Sequence, residues 1–515
     1  MSDYTPVIGM EVHVQLKTNS KMFSPSENDP DEEKPNVNIN EIDLGHPGTL
    51  PVPNKKAIEW TTKIGSALNC EIAEESKFDR KHYFYPDLAK GYQISQYDQP
   101  IASDGEIKLE FYLDNNIRDE AKIGIKRAHL EEDTGKSAHD LHGNTLVDYN
   151  RAGTPLVEIV TEPDFKNGLE AKKYCKELQQ ILRYLEVSDA DMEKGHMRCE
   201  ANISLQESGR FDISDGEIKP LGEYELNNKV EVKNLNSFKV VKEAIDFEID
   251  RQKEMLESGE DWMQQTRGWN ENKKETELQR KKETAADYRY FPEPDIPPFN
   301  PLEIAGGVSV PELPIQKRAR FHEEYGFSYS DAEHLTRSKE WASFAEGVMS
   351  ELSSWLYASD EIEGESDEVL EDRKQELAQL AGNWMNNELR GKLKEKEIKI
   401  ADTNFTQENF AELITLTYTD KVNSTNAEKI LDRMVASSSD TDPSHIMEEE
   451  GYGQISDEGK IEEIVEQVID NNSEQVQQYK DGKEGVLDYL VGMVMKQTEG
   501  SADPQKTKDM FKDKL

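Results

Sequence analysis

The stretch Arg127-Ala-His-Leu-Glu-Glu-Asp-Thr-Gly-Lys136 brings an imidazole, three carboxylates, a guanidinium and an ammonium together within ten residues. Directly before it, Ile123-Gly124-Ile125 is typical of a β-strand. If the strand continues, its two-residue alternation places Arg127, His129 and Glu131 on the same face as the two isoleucines. Carboxylates beside a histidine suit a divalent cation or a site of phosphate transfer. An exposed, charged hairpin arm is the alternative that this stretch alone leaves open.

Three further stretches share this design, with one apolar face and one polar face. Glutamate and histidine alternate with apolar residues in 7–16, and glutamate does so in 197–205 and in 229–233. Stacked in one antiparallel sheet, the four strands would gather five side chains on one surface: Glu11, His13, Glu131, Glu200 and Glu231. Because like-charged carboxylates repel unless a cation binds them, the repetition favours a divalent-metal site over a merely solvated face.

Phosphate chemistry is the use that this ligand set favours, but the usual phosphate loops are missing from the sequence. Gly135-Lys136-Ser137 lacks the glycine that a Walker A loop needs at the position of Leu130, and no Gly-x-Gly-x-x-Gly follows a strand. A nucleotide would therefore be held by metal, arginine and lysine on the sheet. Residues 78–96 interleave aromatic and basic side chains, which can stack on bases and bind phosphates, or can form a packed hairpin corner.

The composition predicts a folded protein of several domains. A chain of 515 residues holds about two to four domains. The 105 acidic and 62 basic residues give a formal charge of −43, and the acidic residues are spread along the whole chain. This distribution suits a folded protein in concentrated salt, and the 16 Phe, 19 Tyr and 6 Trp argue against a disordered acidic chain. The charge therefore does not exclude a nucleic-acid partner.

The sequence predicts a cytoplasmic protein. Cys70, Cys175 and Cys199 show none of the short spacings of a disulfide framework or a cysteine-based zinc site. The first residues lack the basic and apolar regions of a signal peptide, and no run approaches the roughly 18 apolar residues of a membrane span. We therefore expect a reducing compartment and no membrane partner.

A proline cluster in residues 284–301 predicts a domain boundary. Residues 312–395 are predicted to be helical, and from about 401 the helical period predicts a small helical module. Upstream, an apolar strand and two helices are predicted at 155–160, 168–186 and 238–257.

The motifs taken together resemble one family along the whole chain, the B subunits of the glutamyl/aspartyl-tRNA amidotransferases (GatB). The resemblance is specific because nine segments match in order. These segments are Ile8-Gly-Met-Glu-Val-His-Val-Gln-Leu16, Pro47-Gly-Thr-Leu-Pro51, Phe78-Asp-Arg-Lys81, Tyr83-Phe-Tyr-Pro-Asp-Leu88, Lys90-Gly-Tyr-Gln-Ile-Ser-Gln96, His129-Leu-Glu-Glu-Asp133, Asp148-Tyr-Asn-Arg-Ala-Gly153, Lys233-Asn-Leu-Asn-Ser-Phe238 and Asp287-Tyr-Arg-Tyr-Phe-Pro-Glu-Pro-Asp295.

The resemblance implies an α+β fold with three domains. Residues 1–295 would form a mainly antiparallel-sheet cradle domain, similar to the cores of glutamine synthetase and the guanidino kinases. An all-α helical domain would follow at 296–400. Residues 401–515 would form a small all-α tail, similar to the GatB/YqeY domains, that contacts tRNA.

The resemblance also implies a ligase that forms carbon–nitrogen bonds with glutamine as the amide donor. With ATP and Mg²⁺ as cofactors, it would phosphorylate the side-chain carboxylate of Asp-tRNA(Asn), of Glu-tRNA(Gln) or of both. Ammonia would then displace phosphate to give Asn-tRNA or Gln-tRNA. That ammonia would come through a channel from a glutaminase, the amidase A subunit, in a heterotrimer with a small C subunit. Consistently, the chain lacks the Ser-Ser-Lys signature of an amidase.

Residue-by-residue matching assigns roles to the polar side chains. The family's metal ligands fall on Glu11, His13, Glu131, Glu200 and Glu231. The catalytic set adds Glu132, which strand alternation places on the opposite face unless the strand ends or bulges there. The candidates for phosphate contacts are Lys90, Arg127, Arg198 and Lys233. Glu200 stands where the family usually has aspartate, which keeps the charge and lengthens the arm by one methylene.

Two other functions remain as alternatives. A non-catalytic tRNA-binding scaffold would not turn over ATP, and a free-standing kinase or amide ligase would act on a free amino acid. The intact carboxylate set argues against the first, and the match that includes the tail argues against the second. The acidic composition resembles halophilic adaptation, and the sequence leaves open which misacylated tRNA is the substrate.

Overall fold

The computed structural model describes residues 3–113, 116–140, 143–214, 216–281, 288–358, 366–439, 441–453, 458–483, 485–498 and 502–515. The chain divides into two compact units. The first covers Met1–Tyr112 and Ile117–Pro314, and the second contains Ile315–Leu515.

The first unit is built on β-structure with a few helices. Its described strands are β1 (Tyr4–Gln15), β2 (Glu71–Ile72), β3 (Asp79–His82), β4 (Tyr92–Ser95), β5 (Ala102–Leu113), β6 (Asn116–Glu132), β7 (Lys136–His139), β8 (Thr145–Asp148), β9 (Pro155–Thr161), β10 (Met197–Glu207), β11 (Phe211–Ser214), β12 (Glu217–Pro220), β13 (Val230–Leu235), β14 (Gln265–Asn270), β15 (Glu275–Lys281) and β16 (Phe291–Pro292). Its described helices are α1 (Lys55–Ala67), α2 (Gly168–Tyr184), α3 (Phe238–Ser258) and α4 (Pro301–Ala305).

A nine-stranded sheet organises the first unit, in the order β15-β14-β13-β10-β1-β9-β6-β5-β2. The central strand β1 pairs with β10 on one side and with β9 on the other, both antiparallel. β13 and β14 run parallel. The structure thus confirms the predicted α+β class with a largely antiparallel sheet.

One face of the sheet is covered by apolar packing. The side chains of Ile8, Met10 and Val12 on β1 are fully buried, and they share one core with residues of α2 and α3 such as Leu178 and Ile245. Since successive side chains of a strand point to opposite faces, the residues between them on β1 lie on the other, polar face of the sheet.

A β-bulge changes the predicted phase of β6. Ile123 and Ile125 are buried in the core, and so are Ala128 and Leu130 further along the strand. The pairing of β6 with β9 shifts register between Ile125 and Arg127, which marks the bulge. The extra residue reverses the alternation, so the odd-numbered residues after the bulge lie opposite the core. The predicted placement of the three polar residues of β6 on the face of the isoleucines is therefore wrong.

The helices predicted in the first unit are confirmed. Residues 168–186 and 238–257 are predicted to be helical, and α2 and α3 cover these segments almost completely. Each begins at a capping side chain, since Asn167 accepts a hydrogen bond from Glu170 N and Ser237 accepts one from Val240 N. The two helices pack against each other, and α3 packs on β10 and β13.

The described elements of the second unit are helical, as expected from the periodicity of residues 312–395 and of the residues after 401. They are α5 (Pro314–Tyr325), α6 (Tyr329–Leu335), α7 (Lys339–Ala358), α8 (Ser366–Asn383), a π-helical segment (Trp384–Leu389), α9 (Arg390–Glu395), a 3₁₀ turn (Ile400–Asp402), α10 (Gln407–Tyr418), α11 (Ser424–Ala436), α12 (Pro443–Glu450), α13 (Glu458–Asn471), α14 (Ser473–Lys480), α15 (Gly485–Gln497) and α16 (Pro504–Lys514).

The apolar side chains of this unit form two clusters, one spanning Phe321–Ile446 and one spanning Ile461–Phe511. None of the described helices combines the length and the apolar character that crossing a bilayer requires.

Candidate active site

A pocket of about 430 Å³ opens on the polar face of the central strands. Strand register explains its composition: β1 sets Glu11 opposite Glu200 on β10, and His13 opposite both Arg198 on β10 and Glu158 on β9. All five side chains line the pocket. Two-residue alternation on adjacent antiparallel strands is sufficient to bring them together.

Two histidines and two glutamates form one group in the pocket, which we call the imidazole group: His13, His129, Glu131 and Glu158. Glu158 Oε2 lies 3.5 Å from His13 Nε2 and 3.2 Å from His129 Nε2. Glu131 lies 3.8 Å from each of the same two nitrogens. One ligand atom each of His13, Glu131 and Glu158 falls within 4.8 Å of the others, which is close enough for a shared cation.

The charges of the imidazole group shift one another's pKa values. Burial alone would lower the pKa of His13, but Glu158 and then Glu131 raise it to about 9. Burial would raise the pKa of Glu158, but the two histidines hold it well below its usual range. In this geometry the buried carboxylates are neutralised by imidazolium protons, and a bound cation would displace those protons because metal-binding imidazole is neutral.

A second group, the lysine group, consists of Glu200, Glu231 and Lys233. Lys233 Nζ lies 2.7 Å from Glu200 Oε2 and 3.2 Å from Glu231 Oε1. Thr266 also donates a hydrogen bond of 2.8 Å to Glu231 Oε2. The two carboxylates are therefore compensated by an internal ammonium.

Glu11 lies between the two groups. Its Oε1 accepts a 2.8 Å hydrogen bond from Asn202 Nδ2. Burial raises the pKa of Glu11, and the charges of Glu158 and Glu200 raise it further. A positive ligand in the pocket would relieve this repulsion and lower the pKa of Glu11.

Two arginines supply positive charge to the pocket. Arg198 Nη2 donates a 2.7 Å hydrogen bond to Asp133 Oδ2. Burial would raise the pKa of Asp133, but Arg198 and Arg151 lower it to about 2. Among the described residues, the buried Nε atoms of Arg127 and Arg198 have no hydrogen-bond partner. Since buried N–H donors are nearly always satisfied, these two indicate an anionic ligand.

The structure does not bring Glu132 and Lys90 to the pocket. Glu132 points to the other side of β6, where its Oε1 forms an ion pair with Lys90 Nζ and accepts a 2.9 Å hydrogen bond from Ile94 N. Both side chains are almost completely buried there. The other eight predicted residues all line the pocket: Glu11, His13, Arg127, Glu131, Arg198, Glu200, Glu231 and Lys233.

Sequence reasoning missed Glu158, His129 and Lys81. The sequence pattern does not single out Glu158, because residues 155–160 match an apolar strand. The structure places that strand between β1 and β6. One feature of the sequence could have identified it: Glu158 is the single charged residue in an otherwise apolar run. His129 is predicted to share the face of Glu131, but the sequence gives it no role. Lys81 lines the pocket from β3, and although burial lowers its pKa, Glu131 raises it overall.

The fold and the site are those of a protein with side chains that could hold a cation and an anionic, phosphate-like ligand on one face of a largely antiparallel sheet. Comparison with models of protein families then identifies the family of this chain. The family model described as the GatB/GatE catalytic domain matches residues 6–304, and the GatB domain matches residues 367–515. The chain belongs to the GatB family.

Named relatives match along nearly the whole chain. The B subunit of the aspartyl/glutamyl-tRNA(Asn/Gln) amidotransferase from Staphylococcus saprophyticus is 41% identical over 517 residues, which is 99% of this chain and 99% of that protein. The protein of the same name from Geobacillus thermodenitrificans is 43% identical over 505 residues, covering 98% and 97%. The one from Trichodesmium erythraeum is 40% identical over 524 residues, covering 99% and 98%.

Proposed function

We propose that this chain is the carboxylate-activating subunit of a glutamine-hydrolysing, tRNA-dependent amidotransferase. Its relatives are named for Asp-tRNA(Asn) and Glu-tRNA(Gln), and the match covers almost all of both chains. In this proposal the pocket transfers the γ-phosphoryl group of ATP to the side-chain carboxylate of a tRNA-bound aspartate or glutamate. Ammonia then displaces phosphate to form the amide.

One observation carries the assignment of the chemistry to this pocket. The cation ligands His13, Glu131 and Glu158 and the unpartnered donors of Arg127 and Arg198 line the same cavity. Phosphoryl transfer depends on positioning and on compensation of charge at the phosphate oxygens, so it needs both kinds of group within one site. A tRNA-binding scaffold would need neither.

The donor set fits a hard divalent cation such as Mg²⁺. His13, Glu131 and Glu158 would hold it, with Glu11 and the carboxylates of the lysine group beside them. A cation bound there would neutralise the charge of the phosphate oxygens. Carboxylate oxygens predominate among these ligands, as Mg²⁺ prefers.

The remaining groups of the pocket act on the substrates. The guanidinium groups of Arg127 and Arg198 would donate hydrogen bonds to phosphate oxygens. The hydrogen bond from Arg198 to Asp133 would hold Arg198 in position. The attacking carboxylate of the aminoacyl group is ionised at neutral pH, so the first step requires no general base. Lys81 is half-buried and adds a positive charge near Glu131 and Glu158, where it would attract an anionic substrate.

We also propose the wider assembly and organisation that the resemblance implies. An amidase A subunit would supply ammonia, and a small C subunit would complete the heterotrimer. The chain would comprise a cradle at 1–295 similar to glutamine synthetase and guanidino kinases, a helical domain at 296–400 and a tRNA-contacting tail at 401–515. The net charge of −43 supports an origin in a high-salt cell.

The test is release of the γ-phosphate of ATP by the reconstituted complex with Mg²⁺ in concentrated salt. It is run with Asp-tRNA(Asn), with Glu-tRNA(Gln) and without tRNA, for wild type, Glu131→Gln and the control Glu207→Gln. Glu207 lies on β10 but outside the pocket lining, so the control removes one carboxylate without touching the site. We expect release that requires a misacylated tRNA, persists in the control and is lost in Glu131→Gln. Phosphate release that does not require tRNA, or that persists in Glu131→Gln, would refute the assignment of phosphoryl transfer to this pocket.

A further inference from the structure

Five tyrosines form a continuous cluster beside the candidate active site: Tyr83, Tyr85, Tyr97, Tyr288 and Tyr290. The ring centroids of Tyr85 and Tyr83 lie 6.5 Å apart, and those of Tyr83 and Tyr288 lie 6.0 Å apart. The rings of Tyr288 and Tyr290 lie 6.3 Å apart, and Tyr97 stacks on Tyr290 at 4.4 Å. These are the separations of aromatic rings in contact, so the five rings form one surface, which we call the tyrosine cluster.

The tyrosine cluster extends from the pocket to the protein surface. Tyr83, Tyr288 and Tyr290 line the pocket together with the cation ligands. At the two ends of the cluster, the side chains of Tyr85 and Tyr97 are 63% and 56% exposed. Folded proteins rarely leave neighbouring large aromatic residues open to water, and such patches mark sites of interaction. A ligand can therefore cover part of this surface while another part of the same ligand lies in the pocket.

The small sheet formed by β16, β3 and β4 holds the tyrosine cluster in place. β3 pairs with β16 on one side and with β4 on the other. Arg80 on β3 donates hydrogen bonds of 2.6 and 2.8 Å to the two carboxylate oxygens of the buried Glu293, which follows β16. After β4, Tyr97 N donates a 3.1 Å hydrogen bond to Asp79 Oδ2. A surface that is fixed in this way loses little conformational entropy when a flat ring stacks on it.

The pair Tyr97–Tyr290 differs from the other neighbouring rings in its orientation. Its ring planes are only 13° apart, whereas the planes of the other three neighbouring pairs meet at 63° or more. A flat group placed on Tyr97 would therefore extend a parallel stack that Tyr290 already supports. Because Tyr290 also lines the pocket, this stack begins at the edge of the candidate active site.

The charge of the chain favours stacking over phosphate contacts for a nucleic-acid ligand. A chain of charge −43 repels a polyanion, and concentrated salt weakens the attraction between phosphates and basic side chains. Stacking of a base on an aromatic ring does not depend on the net charge of the protein, and every base has a flat face that can stack. An unpaired base is therefore the part of an RNA that this acidic surface can hold best.

The proposed substrate brings an unpaired base to this place. In an aminoacyl-tRNA the amino acid is esterified to the ribose of the last nucleoside, which is an unpaired adenosine. When the side-chain carboxylate of the amino acid lies at the cation ligands, this adenosine must lie at the edge of the pocket. Lys81 connects the two places, since its Nζ is 5.4 Å from the ring centroid of Tyr288 and its charge interacts with those of Glu131 and Glu158.

We propose that the tyrosine cluster holds the unpaired terminal adenosine of the misacylated tRNA, with its base stacked on Tyr97, the exposed ring that Tyr290 supports. This inference rests on the proposed function, because it needs a misacylated tRNA as substrate. The stacked base fixes the ribose at the edge of the pocket, and the esterified amino acid then passes Lys81 to reach the cation ligands. The base of ATP is the other flat group that these rings could hold, and the experiment separates the two.

The experiment compares tRNA with and without its terminal adenosine. Dissociation constants of the reconstituted complex in concentrated salt are measured for uncharged tRNA(Asn) and tRNA(Gln), and for the same tRNAs without the last nucleotide. In wild type we expect loss of the adenosine to weaken binding about tenfold. In Tyr97→Leu the full-length and the shortened tRNA should bind within about twofold of each other, because the base no longer has a ring to stack on.

Two further variants test whether the ring itself is responsible. Tyr97→Phe keeps the ring and should retain the tenfold difference between the two tRNAs. Tyr4→Leu removes a tyrosine of β1 that lies outside the pocket lining, and it should also retain this difference. The dissociation constant for ATP with Mg²⁺ should be the same in wild type and in all three variants.

The results that would overturn this inference differ in what they say about the proposed function. A wild-type complex whose phosphate release does not require misacylated tRNA would overturn both. If phosphate release requires misacylated tRNA but the adenosine contributes equally in wild type and Tyr97→Leu, only the placement of the adenosine is wrong. Weaker binding of ATP in Tyr97→Leu, with an unchanged difference between the two tRNAs, would assign the stack to the base of ATP instead. Because the two tRNAs are compared within each variant, a general loss of folded protein does not affect the result.

Discussion

The imidazole group and the lysine group of the pocket neutralise their carboxylates in different ways. In the imidazole group, Glu131 and Glu158 are deeply buried and face histidines, whose protons can leave. In the lysine group, Glu200 and Glu231 share one ammonium and their side chains are 20% and 14% exposed. A lysine keeps its proton at neutral pH, whereas a histidine exchanges its proton for a metal. We therefore expect glutamates that look equivalent along the sequence to differ in how readily they bind a cation.

The largest expected effect is a difference in phosphate release between two variants, each of which lacks one carboxylate of one group. Glu158→Gln should reduce tRNA-dependent phosphate release about 1,000-fold, because a cation in the site supplies several kcal/mol of charge stabilisation. Glu231→Gln should reduce it much less, since Lys233 and Glu200 remain paired. Phosphate release and Mg²⁺ affinity, measured for both variants, check the contrast. Equal losses in the two variants would mean that the groups do not differ as cation sites.

The next largest expected effect is the pH dependence of stability that His13 of the imidazole group causes. The pKa of His13 is raised to about 9 in the folded protein, against about 6.5 when unfolded. The raised pKa means that protonation stabilises the fold, so this contribution is complete below pH 6.5 and is lost as pH rises through 9. In metal-free buffer the free energy of unfolding should fall over this window by at most about 3 kcal/mol. In His13→Asn the free energy of unfolding should fall less over this window, as denaturant titrations at pH 6.5 and 9 would show. An unchanged fall would contradict the interaction of His13 with the two glutamates.

Removing the ammonium of the lysine group should have the smallest effect. Lys233→Met leaves Glu200 and Glu231 facing each other without compensation. We expect a loss of about 1 kcal/mol of stability, because Lys233 is 36% exposed and water screens the pair. Addition of Mg²⁺ should then raise the melting temperature of Lys233→Met more than that of Lys239→Met, an exposed lysine on α3. Equal shifts in the two variants would indicate that the vacated carboxylates do not bind the cation.

Much of this site follows from local patterns. Alternation in β1, β10 and β13 correctly placed Glu11, His13, Glu200 and Glu231 on one polar face, because side-chain direction in a strand depends only on neighbouring residues. The same rule failed in β6, where a bulge that arises from pairing with β9 reversed the phase after Ile125. Glu131 nevertheless lies in the pocket, because of this bulge, which no local sequence pattern predicts.

The sequence by itself determined the type of elements, the polar faces of the individual strands and, through its motifs, the family. These properties depend on residues that are close in the chain or on short segments read one at a time. Only the tertiary structure decided that β9 lies between β1 and β6, so that Glu158 joins His13 and His129, and that Glu132 turns away to Lys90. It also decided that Lys233 compensates Glu200. Strand order, bulges and ion pairs depend on contacts between distant segments, and the energies that select among them are set only when the sheet has formed.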